Sequence, residues 1–191
     1  MKPMNARLII LDRDGVINSM LVEPDHGMIR SPLHVSQVKL NDGTIEALKM
    51  IQSLGYAFVI ATNQPGASKQ ETTLENLRAV HEKILALLEG AGITILKSYI
   101  CFHRAEDGCE CRKPKPGLLN EALRDYPQFK PSHSWMVGDG VTDMQAGQAA
   151  GVKTAFLGPK KPDAYGIFDQ LSIVPDYWGR DLQSFAQFLS G

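Results

Sequence analysis

Short apolar runs alternating with helix-patterned stretches predict an α/β protein built on a mostly parallel sheet with helices on both faces. Three observations carry this. Residues 8–11 and 56–61 are near-continuous apolar runs of strand length, the pattern of strands buried on both faces. Between and after them, apolar residues recur at helical spacing, as in Ile45, Leu48 and Ile51 or Leu77, Val80, Ile84 and Leu88. Polar clusters follow the strand runs at Asp12 and Asp14, at Thr62 and Asn63, and at Asp139. In a parallel sheet those strand ends open on one edge, which is where such folds hold ligands.

The elements follow in order. Residues 8–11 form the first strand, and Gly15 turns the chain away after Asp14. Residues 19–38 lack sustained periodicity and contain Pro24, Gly27 and Pro32, which predicts a loop or short flap over the strand ends. Asn41, Asp42 and Gly43 cap a helix that Gly55 stops, and residues 56–61 are the second strand. Thr72 or Thr73 starts a long helix ending near Gly90, and residues 93–100 read as strand. A loop over 101–117 leads to a helix over about 118–125 and a strand over 134–137. Thr142 or Asp143 caps a helix over 144–150, residues 153–157 are strand, and 171–174 are a weaker one. Asp181 caps a terminal helix.

The chemistry begins at the first strand end. Two carboxylates one residue apart need a cation, a shared proton, or both. Asp12, ionised at neutral pH, can attack phosphorus without a base and form an aspartyl-phosphate. Asp14 can protonate the departing oxygen and later take a proton from water. Magnesium, which prefers hard oxygen ligands, would hold the carboxylates together, and Asp139 supplies a further one. Asp143 is expected mainly as a helix cap that also holds a metal-bound water. Thr62 and Asn63, leading into a Pro-Gly turn, offer donors for phosphoryl oxygens. Lys113 lies in a segment stiffened by Pro114 and Pro116, so its ammonium can be aimed, and Arg112 offers a fork for a second anion.

Cys101, His103, Cys109 and Cys111 fall within eleven residues. Three thiolates and one imidazole complete a tetrahedral set for zinc with no place for a catalytic water, so the ion would be structural and would staple a loop over 101–111 that has little apolar content. His26, His34, His81 and His133 have no such company and are expected at the surface or in packing.

Taken together, Asp12–Arg13–Asp14–Gly15, Thr62–Asn63–Gln64, Arg112–Lys113–Pro114 and Gly138–Asp139 with Asp143 resemble the haloacid dehalogenase superfamily of aspartate-nucleophile phosphatases. With the cysteine loop, they look like the branch containing heptose 1,7-bisphosphate and histidinol-phosphate phosphatases. The resemblance implies a Rossmann-like three-layer sandwich without a large cap, one domain over 1–191, catalytic Mg²⁺ and structural Zn²⁺. By position it implies Asp12 as nucleophile and Asp14 as acid/base, with magnesium on Asp12, the Asp14 backbone carbonyl and Asp139. Thr62 and Lys113 would steady the phosphoryl group, and Asn63, Gln64 and Arg112 would meet the substrate. Departures at Met20, Pro65 and Gly140 bear on which substrate is taken. The stretches around Arg112 and Asp139 look more like the heptose enzymes. The alternatives are histidinol phosphate, another small phosphate ester or a nucleic-acid 3′ end, and a binding module built on the zinc loop.

Composition bounds these readings. The 191 residues are 43% hydrophobic and 21% charged, ordinary for one soluble domain, and a net charge of −1 provides no basic footprint for nucleic acid. No apolar run is long enough to span a bilayer, and the first residues lack a signal-like apolar stretch, so a cytoplasmic protein is expected. The expected partner is a small phosphorylated sugar, and the expected state a monomer.

Overall fold

The computed structural model describes residues 6–23, 27–159 and 162–191. Eight strands and six α-helices follow one another as β1 (Arg7–Leu11), β2 (Leu21–Glu23), β3 (Met28–Arg30), α1 (Thr44–Ser53), β4 (Tyr56–Asn63), α2 (Leu74–Gly90), β5 (Ile95–Cys101), α3 (Gly117–Asp125), β6 (Trp135–Gly138), α4 (Val141–Ala149), β7 (Lys153–Leu157), α5 (Pro162–Gln170), β8 (Tyr177–Gly179) and α6 (Leu182–Ser190). Six strands form one sheet in the order β5-β4-β1-β6-β7-β8, and every pairing in it is parallel. β2 and β3 pair antiparallel as a separate hairpin.

β1 lies between β4 and β6 and is sealed from water, with Leu8, Ile9, Ile10 and Leu11 all at 0% exposure. Because side chains alternate along a strand, Ile9 and Leu11 enter the core formed with α1, α2 and α6, contributed by Leu48, Ile51, Val80, Ile84 and Phe185. Leu8 and Ile10 enter the opposite core, with Leu118, Leu119 and Ala122 of α3 and Ala146 of α4. Those two buried faces are the three-layer sandwich the apolar runs predict. A smaller cluster of Met144, Phe156, Phe168 and Ile173, with Trp178 against it, closes the β8 side.

Several boundaries differ from the sequence reading. The flap over 19–38 contains the β2–β3 hairpin, too short for strand periodicity to register. Residues 171–174 are not a strand: the chain leaves α5 in a turn there, with Ser172 at φ +52°, and the last strand is β8. Ile173 supplied the apolar signal, but it is buried as a single plug in the small cluster. Asn41 does not cap α1. Gly43, in the left-handed region at φ +77°, stands at the cap position, and the Asn41 amide donates to the Gly15 and Val16 carbonyls, tying down the loop that follows β1. α4 starts at Val141, earlier than its apolar residues suggest.

Asp181 does cap α6, its carboxylate accepting from Ser184 N at 2.8 Å. That helix buries Leu182, Phe185 and Ala186 against the sheet. Asp181→Ala is therefore expected to cost about 1 kcal/mol. A chemical denaturation curve should show this as a lower midpoint with an unchanged slope.

Candidate active site

β1, β4 and β6 end side by side, and each delivers a polar group to the same edge of the sheet. Asp12 leaves β1, its backbone N–H donating to Val137 O of β6 at 2.9 Å, which fixes where its side chain starts. Asp139 follows β6, and Asp143 lies in the first turn of α4. Carboxylate oxygens of Asp12, Asp139 and Asp143 all lie within 4.8 Å of one another. Two glycines let them approach. A Cβ on Gly15, which sits at φ +86°, would come within 1.9 Å of the Asp139 carboxylate, and one on Gly138 within 2.3 Å of the Asp143 carboxylate.

Lys113 answers this negative charge. Its Nζ is 2.9 Å from Asp12 Oδ1 and 2.6 Å from Asp143 Oδ1, and it donates to Ala61 O at 2.7 Å. The Ala61 contact has hydrogen-bond geometry, and the two carboxylates meet the ammonium as close ion pairs. Burial disfavours the charge of Lys113, which is 2% exposed, but the two carboxylates outweigh burial and hold it protonated. Asn63 fixes the backbone beneath it: Nδ2 donates to Lys113 O at 3.0 Å, and Oδ1 accepts from Lys113 N at 3.1 Å.

One cation does not balance three carboxylates. Desolvation raises Asp12 to about 6, with Asp143 and Asp14 adding to the rise and Lys113 opposing it. Desolvation and repulsion from Asp12 and Asp143 raise Asp139 to about 7; its side chain is exposed to the cleft, so water there softens the effect. A hard divalent cation on the triad would remove this mismatch, and the donor set fits magnesium. Asp143, expected from the sequence as the cap of α4, is not the cap; Gly140 stands there, and Asp143 is the third helical residue, reaching back to it. Its Oδ2 accepts from Gly140 N at 3.0 Å while Oδ1 holds Lys113, and its position beside Asp12 and Asp139 makes it a candidate ligand.

The carboxylate of Asp14 takes another direction. Oδ1 accepts from Arg13 Nε at 3.0 Å and Asn18 Nδ2 at 2.9 Å, while Oδ2 accepts from Arg13 Nη2 at 3.0 Å and Gln64 Nε2 at 2.7 Å. Burial alone would raise its pKa, yet the Arg13 charge and these donors hold it below the usual carboxylate range. Gln64 is 2% exposed and also donates to Thr62 Oγ1 at 2.9 Å. Asn63 and Gln64, expected to meet the substrate, direct their amides to Lys113 and Asp14. Both still border the open space of the site. Nothing in the sequence marks Arg13, although it stands in the Asp12–Gly15 motif, or His81 as part of a buried surrounding for Asp14. His81 is buried, and desolvation and the Arg13 charge lower its pKa to about 4, against the pull of Asp14, so the ring is neutral.

The resulting cleft encloses about 210 Å³ and is lined by Asp12, Asp14, Thr62, Asn63, Lys113, Asp139 and Asp143, with Met20 and Ser31 at its rim. Met20 and Ser31 also border an adjoining recess of about 350 Å³, whose walls include Ile29, Leu33, Pro65, Arg30, Lys69 and Glu71.

The cysteine loop lies beside β4, joined by Gln64 N donating to Cys101 O at 2.6 Å and Ser68 Oγ to Phe102 O at 2.6 Å. Cys101, Cys109 and Cys111 Sγ and His103 Nδ1 approach one another at 3.2–3.7 Å. A tetrahedral zinc separates such ligand atoms by about 3.5–3.8 Å, so the four are already spaced for it. Burial and the neighbouring sulfurs push the Cys111 thiol up to about 12, and a metal ion is what would let all three sulfurs ionise together. Arg112 Nη1 donates to His103 O at 3.0 Å, linking this loop to the segment that carries Lys113. Lys115 pairs with Glu110 outside the cleft. His34 is exposed and His133 half-buried; His26 lies outside the described residues.

The chain belongs to the haloacid dehalogenase-like hydrolases, whose family model matches residues 25–151. Within that family it is 33% identical over 183 residues to the D-glycero-beta-D-manno-heptose-1,7-bisphosphate 7-phosphatase of Neisseria meningitidis serogroup A, covering 90% of this chain and 94% of the relative. It is 35% identical over 146 residues to the histidine biosynthesis bifunctional protein of Legionella pneumophila, covering 76% of this chain and 40% of that longer one. Among solved structures it superimposes with a TM-score of 0.80 on the D,D-heptose 1,7-bisphosphate phosphatase of B. bronchiseptica complexed with magnesium and phosphate. The two are 28% identical, and the match covers 96% of this chain and 98% of the other. Among the described residues no helix is long and apolar enough to cross a membrane.

The raised carboxylates lead to a pH prediction for the metal-free protein. Asp12 and Asp139 bind protons more tightly folded than unfolded, so the stability they contribute is present below their unfolded value of 3.8 and lost as pH rises through about 6 and 7. With EDTA present, this contribution to Tm should fall as pH rises across that window. Excess Mg²⁺ should remove the fall and Asp139→Asn should flatten it. A slope unaffected by both would show that the triad carries no such charge excess.

Proposed function

We propose that this protein is a Mg²⁺-dependent phosphomonoester hydrolase acting through Asp12 on a phosphorylated sugar, most closely a heptose 1,7-bisphosphate. The observation that carries the reading is the placement of the Asp12 carboxylate at the mouth of β1, between the buried ammonium of Lys113 and the carboxylates of Asp139 and Asp143. The heptose phosphatase relatives, matched over 80–97% of their length, support the substrate class. The whole chain acts as one domain, and the β2–β3 hairpin takes the place of a larger cap.

In the first half-reaction an Asp12 oxygen bonds to phosphorus as the bond to the sugar oxygen breaks. Asp14 gives that oxygen a proton, its proton affinity raised by the phosphate charge that enters beside it. In the second half, ionised Asp14 takes a proton from the water that attacks phosphorus as the bond to Asp12 breaks, which releases phosphate and leaves Asp14 protonated for the next turn. Thr62 and the peptide groups after β4 hold phosphoryl oxygens, and the fixed charge of Lys113 stabilises them. Asp12, Asp139, Asp143 and the Asp14 carbonyl would hold magnesium, which neutralises the phosphate and draws the carboxylates together when bound. Cys101, His103, Cys109 and Cys111 would hold zinc and keep the Arg112–Lys113 segment in place. The recess beside the cleft receives the rest of the substrate, with Arg30 and Lys69 in its walls for a second anion; Arg112, expected in that role, lines neither space and bonds His103 O of the cysteine loop. A histidinol-phosphate reading is favoured by one feature, Glu71 in that recess, which could face an ammonium.

Asp12→Asn is expected to reduce phosphate release with Mg²⁺ to less than about a thousandth while leaving the fold unchanged by circular dichroism. Heptose 1,7-bisphosphate should exceed histidinol phosphate and a 3′-phosphorylated oligonucleotide in kcat/KM; a reversed order would reassign the substrate. Separately, Cys109→Ser should lower bound zinc by elemental analysis and lower Tm with it. Full zinc retention would remove the structural-metal assignment.

A further inference from the structure

The harness around Asp14 contains a group that the proposed chemistry does not itself require. Arg13 is 0% exposed, the largest of the fully buried side chains, and its guanidinium bonds Asp14 alone among the described residues. Its Nη1 has no hydrogen-bond partner. A fully buried cation is costly, and an apolar side chain of similar volume would pack such a position at least as well. The reward for keeping it has to lie in what it does to Asp14. Nε and Nη2 reach the two carboxylate oxygens at 3.0 Å each, the parallel fork that fixes the plane of a carboxylate as well as its position. Neutral His81 completes this buried surrounding without adding a second charge.

A carboxylate has about four lone-pair positions, and four donors are in place. Two belong to Arg13, and one each to Asn18 and Gln64. Without the Arg13 fork, the remaining two are single amide hydrogens on rotatable side chains, which set a distance but not a plane. Gln64 reaches further, since the same amide nitrogen also bonds Thr62, a residue of the cleft wall.

We propose that Arg13 is the positioning residue for proton transfer by Asp14, with Gln64 as the lesser second clamp. When Asp14 carries the proton, that proton takes the place of one of the two single amide contacts, while the fork keeps the carboxyl group in the plane from which it meets the departing oxygen. This rests on the acid/base role proposed for Asp14. In the step concerned, the phosphorus–oxygen bond to Asp12 forms, the bond to the leaving oxygen breaks, and the proton passes from Asp14 to that oxygen.

The test is kcat/KM, which reports only as far as departure of the leaving group, measured on two substrates with Mg²⁺. An alkyl phosphate needs a proton on its leaving oxygen and 2,4-dinitrophenyl phosphate does not. Arg13→Met should lose about 100-fold on the alkyl ester and less than about 5-fold on the dinitrophenyl ester. Arg13→Lys, which keeps a charge but not the fork, should behave like Arg13→Met. Equal losses on both esters, as a merely structural role would produce, overturn the proposal, and so does full rescue by Arg13→Lys. Should Arg13→Met not fold, Gln64→Leu must show the same split at about tenfold, and equal losses there overturn the proposal as well. Asp14→Asn separates the two levels. A split in Asp14→Asn without one in the Arg13 variants defeats the positioning claim alone. No split in Asp14→Asn defeats the acid/base reading and the positioning claim with it.

Discussion

The site depends on a single buried ammonium. Lys113 joins the ends of three segments that are far apart in sequence, reaching Asp12 after β1, Ala61 O in β4 and Asp143 in α4 at 2.6–2.9 Å. One hydrogen bond to the carbonyl and two ion pairs to carboxylates hold the nitrogen from three sides. A lysine buried in this way stays charged only because two carboxylates face it. The dependence is mutual: without the ammonium, three crowded carboxylates would remain with only water and the Arg13 and Gly140 backbone N–H groups to relieve them. The rest of the architecture serves to keep that one nitrogen in place. Asn63 grips the peptide group of Lys113, and the cysteine loop anchors the chain just before it.

Charge at this edge is divided into two compartments. On one side Asp12, Asp139 and Asp143 face the cleft with a deficit of positive charge, which a divalent cation fits. On the other, Asp14 is saturated by Arg13, Asn18 and Gln64. Two aspartates separated by one residue therefore meet opposite surroundings, one raised and one lowered in proton affinity. Burial acts on both in the same direction, and the nearby guanidinium decides the difference. This separation allows one short segment to offer a nucleophile and a proton carrier together.

Much of this was legible in the sequence, and the reason is physical. Buried parallel strands write themselves as apolar runs, so β1, β4 and the strand ends that carry the site could be read directly. The cysteine–histidine spacing pointed to its own chemistry because ligand geometry is local. Partner choice by side chains was not legible. Nothing in the pattern around Asn63 reveals that its amide turns onto the backbone of a residue fifty positions away, or that Gln64 turns inward to Asp14. Within its motif Arg13 reads as a charged residue between two aspartates, and only the packing of the sheet makes it the most deeply enclosed cation among the described residues. The β2–β3 hairpin and β8 are three residues each, below the length at which periodicity carries information.

Gly15 has a consequence for how such a protein can change. Its missing side chain is the space the Asp139 carboxylate occupies, and β1 behind it is sealed on both faces. The floor that handles phosphorus is thus interlocked with the hydrophobic interior, and altering it disturbs foldedness and turnover in the same stroke. Met20, Ile29, Leu33 and Lys69 sit on the hairpin and loops around the rim, outside that interlock. Selectivity can be rewritten there one side chain at a time, while the reaction centre stays as it is.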